Sequence, residues 1–444
     1  MEFSKEIFKT YDIRGLLEEV TEEVAYAIGV GVVTKLKAKN VVIGRDVRKT
    51  SPELLKAVIK GVTDMGGNVL DLGLTNTSVW NYATSFTEGV DLGIMITASH
   101  NPAEYNGIKV NLSSGQSVSG DELWELVQDL NESQADEKGS VQELDIIDKY
   151  IDACVEGIDL GDLSKIKIVF DYGNGMGAVS LQPLIKKLGI DVIELYPEFD
   201  ATFPNHGADP SVEANLLDLK RSVVENGADF GAAFDGDLDR VMLVDNKGNA
   251  ISGDIFLALL AKDILKHDPE KGVAVTVNMG WAVREAIVEA GGKVIESPVG
   301  RSSVPKAAME NDGILGGEVS GHFMFKDFAF RESVEHALVR MLSVYKGSGK
   351  TMSDLVEPMR KYANSGEVNV EVGNKDEIIN RVLEKYKDQA SEVSKLDGIK
   401  LIFDHDWWFI LRASNTEPVL RLTVEAKTKE VMDEKVAEIT ALMK

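Results

Sequence analysis

Residues 167–195 read KIVFDYGNGMGAVSLQPLIKKLGIDVIEL. An apolar, β-branched run, Ile168 to Phe170, leads into a loop with Gly173, Gly175 and Gly177. A helical stretch follows, Gly189 closes it, and a second apolar run begins at Ile190. Strands separated in this way by single helices describe a parallel sheet covered by helices. The plan recurs on both sides. Upstream it runs VVIGRD (41–46), a helix from Pro52, then MGGNVLDLG (65–73). Downstream it runs VAVTVNMGW (273–281), a helix, then EAGGKVIESP (289–298). Glycine ends each helix, where the left-handed cap conformation is cheap only for that residue. Ser51-Pro52 reads as an N-cap followed by proline at the first helical position. Three copies of one plan predict three similar α/β domains.

The end of the chain follows a different plan. LIF (401–403), WWFIL (407–411) and LRLTV (420–424) lie between helical stretches at 376–387 and 427–444, which predicts a smaller α+β domain. Leu420, Leu422 and Val424 alternate with Arg421, Thr423 and Glu425. That alternation predicts a half-buried strand with Arg421 on its exposed face. At 444 residues the chain exceeds a single core and three or four domains are expected; with four, the divisions fall at 1–150, 151–253, 254–366 and 367–444. The polar run from Asn131 to Asp145 reads as a surface loop or boundary.

Composition narrows the class. A hydrophobic fraction of 44% excludes a largely disordered chain. The apolar runs are far shorter than the roughly 20 residues that span a bilayer, and the first residues, MEFSKEIFKT, carry no apolar signal core. The single cysteine, Cys154, excludes an intrachain disulfide and a cysteine-rich metal site. A cytoplasmic protein is expected. The net charge of −25 repels nucleic acid and anionic membrane, so neither is expected as a partner. An anionic substrate would then need a local cationic pocket.

Each repeat delivers a further buried strand into a polar loop: LGIMI into TASHNP (97–102), FGAAF into DGDLDR (235–240), and GILG into GEVSGH (317–322). Ligands of open α/β sheets sit beyond the carboxyl ends of the strands, so the three loops are candidate walls of one site. In the second loop Asp235, Asp237 and Asp239 occupy alternate positions and can turn their oxygens onto one hard cation. An EF-hand does not fit, because Arg240 stands where it needs glycine and Asn246 where it needs glutamate. Carboxylates without histidine or cysteine favour Mg²⁺ over zinc. Ser99 is not in the G-x-S-x-G setting of hydrolases, but a serine beside a divalent cation can carry a phosphoryl group. Lys109 follows a short way downstream. Cationic loops occur at Arg14 and Arg45, and at Arg412, where Ser414, Asn415 and Thr416 add groups suited to a phosphate dianion.

TASHNP, DGDLDR, GEVSGH and RASNTEPVLRLTVEA, in this order and with YDIRG (11–15) before them, resemble the α-D-phosphohexomutase superfamily, most closely its phosphomannomutase/phosphoglucomutase branch. The resemblance covers essentially the whole chain. It implies three mixed-sheet α/β domains and a smaller C-terminal domain around a central cleft. It further implies that Ser99 is phosphorylated in the active enzyme and that Asp235, Asp237 and Asp239, with the serine phosphate, hold one Mg²⁺. Arg240 falls near the phosphoserine or substrate. Glu318 and Ser320 match the pair that binds sugar hydroxyls, with His322 nearby. Arg412, Ser414, Asn415, Thr416 and Arg421 match the loop that holds the non-reacting phosphate, and Arg14 and Lys109 match basic residues near the reacting groups.

The implied reaction moves a phosphoryl group from Ser99 to a hexose phosphate, giving a 1,6-bisphosphate that turns over and returns its other phosphate. Glucose 1,6-bisphosphate or an equivalent is the expected activator, and a monomer or weak homodimer is the expected state. Lys109, His322 and His100 are all candidates for the base that takes the hydroxyl proton. Arg301 stands where relatives carry a different turn. Glu-Val-Ser at 318–320, rather than Glu-Gln-Ser, favours mannose and glucose phosphates over glucosamine phosphate. A haloacid-dehalogenase-type phosphatase needs D-x-D-x-T, and the position after Asp237 that should be Thr is Asp239. A non-catalytic sugar-phosphate sensor needs no Ser99 beside three aspartates.

Overall fold

The apolar runs become the central strands of separate sheets, and the glycine-closed helices cover them. The computed structural model describes residues 3–130, 134–414 and 419–443. The chain divides into two units, one of Met1–Ser252 and Ser320–Ser353, the other of Gly253–Val319 and Asp354–Lys444.

The first unit contains two complete sheets. One has six strands in the order Ile13–Leu16, Tyr105–Leu112, Leu92–Ile96, Asn40–Arg45, Asn68–Leu74, Val141–Glu143. The four from Leu92–Ile96 onward are parallel, and the first two are antiparallel. Its core joins Val41, Ile43, Ile94, Ile96 and Ile108 to Val24, Ile28, Leu54 and Val58 of two helices, Glu22–Thr34 and Ser51–Asp64. Full burial of each such side chain contributes about 1.5–3 kcal/mol. The helices approach closely at Gly61, where a Cβ would lie 2.3 Å from the Tyr26 carbonyl oxygen. The other sheet runs Ala250–Ile251, Val241–Asp245, Phe230–Phe234, Lys167–Asp171, Asp191–Leu195. Its last three strands are parallel, and Phe230–Phe234 turns back antiparallel into Val241–Asp245. The hairpin between those two carries Asp235 to Arg240.

In the second unit Gly272–Thr276 lies between Lys293–Ser297 and Gly313–Gly317, all parallel. The C-terminal sheet is antiparallel through Glu392–Ser394, Ile399–Phe403, Trp407–Ala413 and Val419–Ala426, with Val368–Glu371 pairing to the last of these. Helices Lys375–Tyr386 and Lys429–Met443 flank it. The architecture is thus four domains: three α/β with mixed sheets and a smaller α+β domain at the C-terminus. No helix of the described residues is long and apolar enough to cross a membrane.

Two local expectations are corrected. Ser51 is not the N-cap. The helix begins at Ser51 with Thr50 before it, and Ser51 Oγ donates to Asp46 Oδ1 at 2.7 Å. The strand Val419–Ala426 is not half-buried. Thr423 and Glu425 are buried too, and only Arg421 keeps partial exposure. Glu425 is covered because its Oε1 accepts from Trp281 N at 2.8 Å and Trp408 Nε1 at 2.9 Å. The described part of the 131–145 stretch runs over the surface, as expected, and is held to the helix Ser51–Asp64 and to the first sheet. Ala135 N and Gly139 N donate to the carbonyls of Asp64 and Thr63, and Val141–Glu143 is an edge strand. Asn131 lies outside the described residues.

Candidate active site

Every residue of the strand Leu92–Ile96 is buried, and the strand ends in the loop carrying Ser99. Ser99 has φ 52°, a left-handed conformation that costs a non-glycine residue about 1–3 kcal/mol and persists only where surroundings enforce it. Thr97 Oγ1 accepts from Ser99 N at 2.9 Å. The stronger constraint is Arg48, 1% exposed. Its guanidinium donates to the carbonyls of Ser99 (3.0 Å), Asn101 (2.5 Å), Pro102 (2.6 Å) and Tyr105 (3.0 Å), and its Nε to Asp46 Oδ2 (3.2 Å). The planar fork of arginine suits this task and a lysine does not.

The hairpin with the three aspartates meets this loop. Ser99 Oγ donates to Asp235 Oδ2 at 2.9 Å. Gly236 permits the approach, since a Cβ there would lie 2.6 Å from the Ser99 carbonyl oxygen. Asp235, Asp237 and Asp239 are each no more than 2% exposed. Buried carboxylates so close together need cations, and two are present. Lys109 Nζ donates to Asp237 Oδ2 at 2.6 Å and to Asp239 Oδ2 at 2.8 Å. Arg240 places Nε 3.9 Å from Asp235 Oδ2 and 3.8 Å from Asp239 Oδ1, with Asp209 Oδ1 3.4 Å from its Nη1. Burial and the two neighbouring carboxylates push the Asp235 carboxyl well above its usual range, against Arg240 and Lys109. For Asp237 burial and Asp239 push the same way, but Lys109 and Thr77 outweigh them and its carboxyl falls below the usual value.

Two histidines complete the cluster. His100 Nδ1 lies 3.2 Å from Ser99 Oγ and faces an N–H of Arg240. Burial, then Arg240 and Arg14, push His100 well below its ordinary value, so its imidazole is neutral. His322 Nε2 is 3.3 Å from Asp239 Oδ1, and its Nδ1 is 2.9 Å from Ser320 Oγ. Arg14 donates to Asn101 Oδ1 at 2.7 Å and to Asp12 Oδ2 at 2.6 Å. One unit therefore brings together Ser99, Arg14, His100, Lys109, Arg240, Ser320, His322 and the three aspartates.

The three aspartates fit a hard cation. Each offers one oxygen, and these lie within 4.8 Å of one another. Asp237 Oδ1 is buried and accepts no hydrogen bond among the described residues. An all-carboxylate donor set suits a hard divalent ion.

The second unit holds the remaining predicted residues. Glu318 is buried immediately after the strand Gly313–Gly317, and Arg301 is half-buried just before the helix Ser303–Glu310. Arg412 and Arg421 are register partners on adjacent strands. Both engage Glu367: Arg412 Nη2 lies 2.8 Å from Oε2 and Arg421 Nη1 3.2 Å from Oε1. Ser414 is buried, and its N donates to Val419 O at 3.0 Å. Asn415 and Thr416 lie outside the described residues.

Sequence reading missed Arg48, Thr77, Asp209 and Glu367. Arg48 stands in RDVRKT, a run that looks like a solvated surface, and Thr77 begins an ordinary helix. Asp209 and Glu367 are two acids among 73, so local pattern marks none of the four.

Comparison with known proteins agrees with this geometry. Four domain families match in order: phosphoglucomutase/phosphomannomutase alpha/beta/alpha domain I over residues 5–137, domain II over 148–248, domain III over 252–362, and the C-terminal domain over 367–442. The chain is 38% identical to a phosphomannomutase of Escherichia coli K12, over 95% of this chain and 94% of that one. It is 35% identical to a phosphomannomutase/phosphoglucomutase of Pseudomonas syringae, over 96% and 92%. A crystal structure of a phosphoglucomutase/phosphomannomutase family protein from Burkholderia thailandensis superposes with a TM-score of 0.91 at 30% identity, covering 99% of this chain and 97% of that one. With all four domains present in order and the fold shared from end to end, the chain belongs to the phosphoglucomutase/phosphomannomutase family of phosphohexomutases.

Proposed function

We propose that this phosphohexomutase moves a phosphoryl group reversibly between positions 1 and 6 of a hexose phosphate, mannose or glucose phosphate, through a phosphoserine at Ser99 and a 1,6-bisphosphate. The observation that carries the reading is Ser99 Oγ, 2.9 Å from Asp235 in a carboxylate cluster ringed by Arg240, Lys109, His100 and His322. In the first half-reaction the bond between phosphorus and Ser99 Oγ breaks and one forms to the sugar hydroxyl, whose proton goes to a base. In the second, the other phosphate of the bisphosphate returns to Ser99 and the proton is given back.

Such transfer depends on positioning and charge stabilisation. Arg240 and Arg14 supply positive charge near Ser99, and Arg48 holds its backbone. Asp235, Asp237 and Asp239 would hold a divalent cation, which we assign as Mg²⁺ and which would supply charge neutralisation for a phosphoryl group. Among the three base candidates, Lys109 is engaged as counter-ion to two aspartates and His100 receives an N–H from Arg240. His322 is paired as well, with Asp239 and Ser320, so we assign the proton transfer to this set of three residues rather than to one of them. Glu318 and Ser320 take the sugar hydroxyls, Arg301 serves the same recognition role, and Arg412, Ser414, Asn415, Thr416 and Arg421 take the non-reacting phosphate. Glucose 1,6-bisphosphate, or an equivalent, charges Ser99. We place the enzyme in the cytoplasm as a monomer or weak homodimer, since one chain supplies every group named, with neither nucleic acid nor membrane as a partner.

A coupled assay tests this with glucose 1-phosphate or mannose 1-phosphate, Mg²⁺ and trace glucose 1,6-bisphosphate. Isomerisation is expected, with phosphate found on Ser99 by peptide mass spectrometry and lost in S99A. Release of inorganic phosphate instead would identify a phosphatase, and neither reaction a sensor. Turnover of glucosamine 1-phosphate above both other sugars would reassign the specificity.

A further inference from the structure

The aspartate hairpin rests on the first turn of the helix Thr77–Phe86. Thr77 N donates to Asp237 O at 2.8 Å, and Thr77 Oγ1 donates to Asp237 Oδ2 at 2.6 Å. Ser78 Oγ donates to Leu238 O at 2.9 Å, where the chain passes through φ 59°. The first N–H groups of a helix have no partner inside it; the hairpin here supplies an acceptor for that of Thr77. Asn76, Thr77 and Ser78 are all buried.

The turn is anchored from behind. Asn76 Oδ1 accepts from Val79 N at 2.9 Å, and Asn76 Nδ2 donates to Ser180 Oγ at 2.6 Å. Ser180 Oγ donates to Glu335 Oε1, and Tyr150 Oη donates to Glu335 Oε2 at 2.6 Å. Buried hydrogen bonds from the helix Val334–Ser348 thus hold Asn76, the residue before Thr77.

Asp237 Oδ2 receives two donors, Lys109 Nζ and Thr77 Oγ1, while Oδ1 receives none among the described residues. Lys109 at the end of a flexible stem supplies charge. Thr77, on a rigid helix and bonded to both the backbone and the side chain of Asp237, fixes how the carboxylate is turned. We infer that Thr77 is a positioning residue that presents Asp237 Oδ1 to the divalent cation, an inference that rests on the reading of the three aspartates as the cation site. Groups that orient metal ligands in this way typically contribute 10–100-fold in affinity or activity.

The test titrates Mg²⁺ alone into the full-length protein by calorimetry, comparing the parent with T77V, T77S and D237N. T77V keeps the shape and removes the hydroxyl. It is expected to weaken Mg²⁺ binding about 10–100-fold and to lower kcat while leaving KM for the hexose phosphate little changed. T77S is expected to restore both, and T77V added to D237N to change nothing further. Mg²⁺ binding by T77V equal to that of the parent overturns the inference. A parent that binds no Mg²⁺ overturns the cation site itself. If T77V does not fold, T77A carries the measurement. If only T77S folds, the hydroxyl serves stability and the inference is overturned.

Discussion

Around Ser99 the charged groups neutralise one another inside the first unit, whereas around Arg412 two arginines share one carboxylate, Glu367, whose side chain is 31% exposed. The first cluster is buried, and burial forces every carboxylate to find a cation or a hydrogen bond before any ligand arrives. Its geometry is therefore set in advance, as phosphoryl transfer requires. The second is less enclosed: Arg412 is buried, but Arg421 and Glu367 are partly exposed, so their pairing is open to exchange with an anion from solvent. We propose that chemistry belongs to the first cluster and docking to the second, a division that can be broken experimentally.

The sharpest break is D237N. We expect loss of both Mg²⁺ binding in calorimetry and mutase turnover, while R412A leaves the Mg²⁺ titration unchanged. Equal Mg²⁺ binding by D237N and the parent would remove the distinction between the clusters. Next is R48M, which takes the guanidinium away from Asp46 Oδ2 and from four carbonyls. Urea unfolding should show a loss of about 3–5 kcal/mol, typical of breaking a buried pair, and a result within error of the parent would mean that the Ser99 loop does not need Arg48. R412A is expected to weaken phosphate binding by about 2–4 kcal/mol. Affinity for glucose 1-phosphate and mannose 1-phosphate should fall together; loss for one sugar alone would show that the loop reads sugar rather than phosphate.

The smallest effect concerns the buried network behind the first cluster. His336 Nδ1 donates to Cys154 O at 2.9 Å and Nε2 accepts from Arg340 Nε at 2.9 Å, which holds the ring neutral. Burial, then Arg340, lowers its pKa to about 3. The unfolded chain takes up a proton near the ordinary histidine value and the folded chain does not, so stability is present above about 6.5 and is lost as pH falls from there toward 3. Between about pH 7 and pH 5 this amounts to on the order of 2 kcal/mol. H336N should flatten that part of the stability–pH curve, and an unchanged slope would show that other groups account for it.

The candidate site was partly legible in the chain. Ser99 after an apolar strand, and aspartates at alternate positions of one hairpin, are local patterns. Arg48 and Thr77 were not legible, because each works through partners more than 50 residues away. Nor was the burial of Glu425, since alternation marks which residues share a face but not what covers it. Ser51 shows the same limit at short range: its hydroxyl suits a cap, and Asp46 captures it.

The repeated α/β plan, the separate C-terminal domain and the residue types at the reacting centre all follow from the order of residues alone, because strand and helix periodicity and loop chemistry are properties of neighbours in the chain. Which cation meets which carboxylate, why Ser99 holds a left-handed backbone, and that Thr77 bonds to Asp237 were settled only when distant segments packed together. Those arrangements depend on burial, which makes each unpaired polar atom costly and so selects partners by their distance in space.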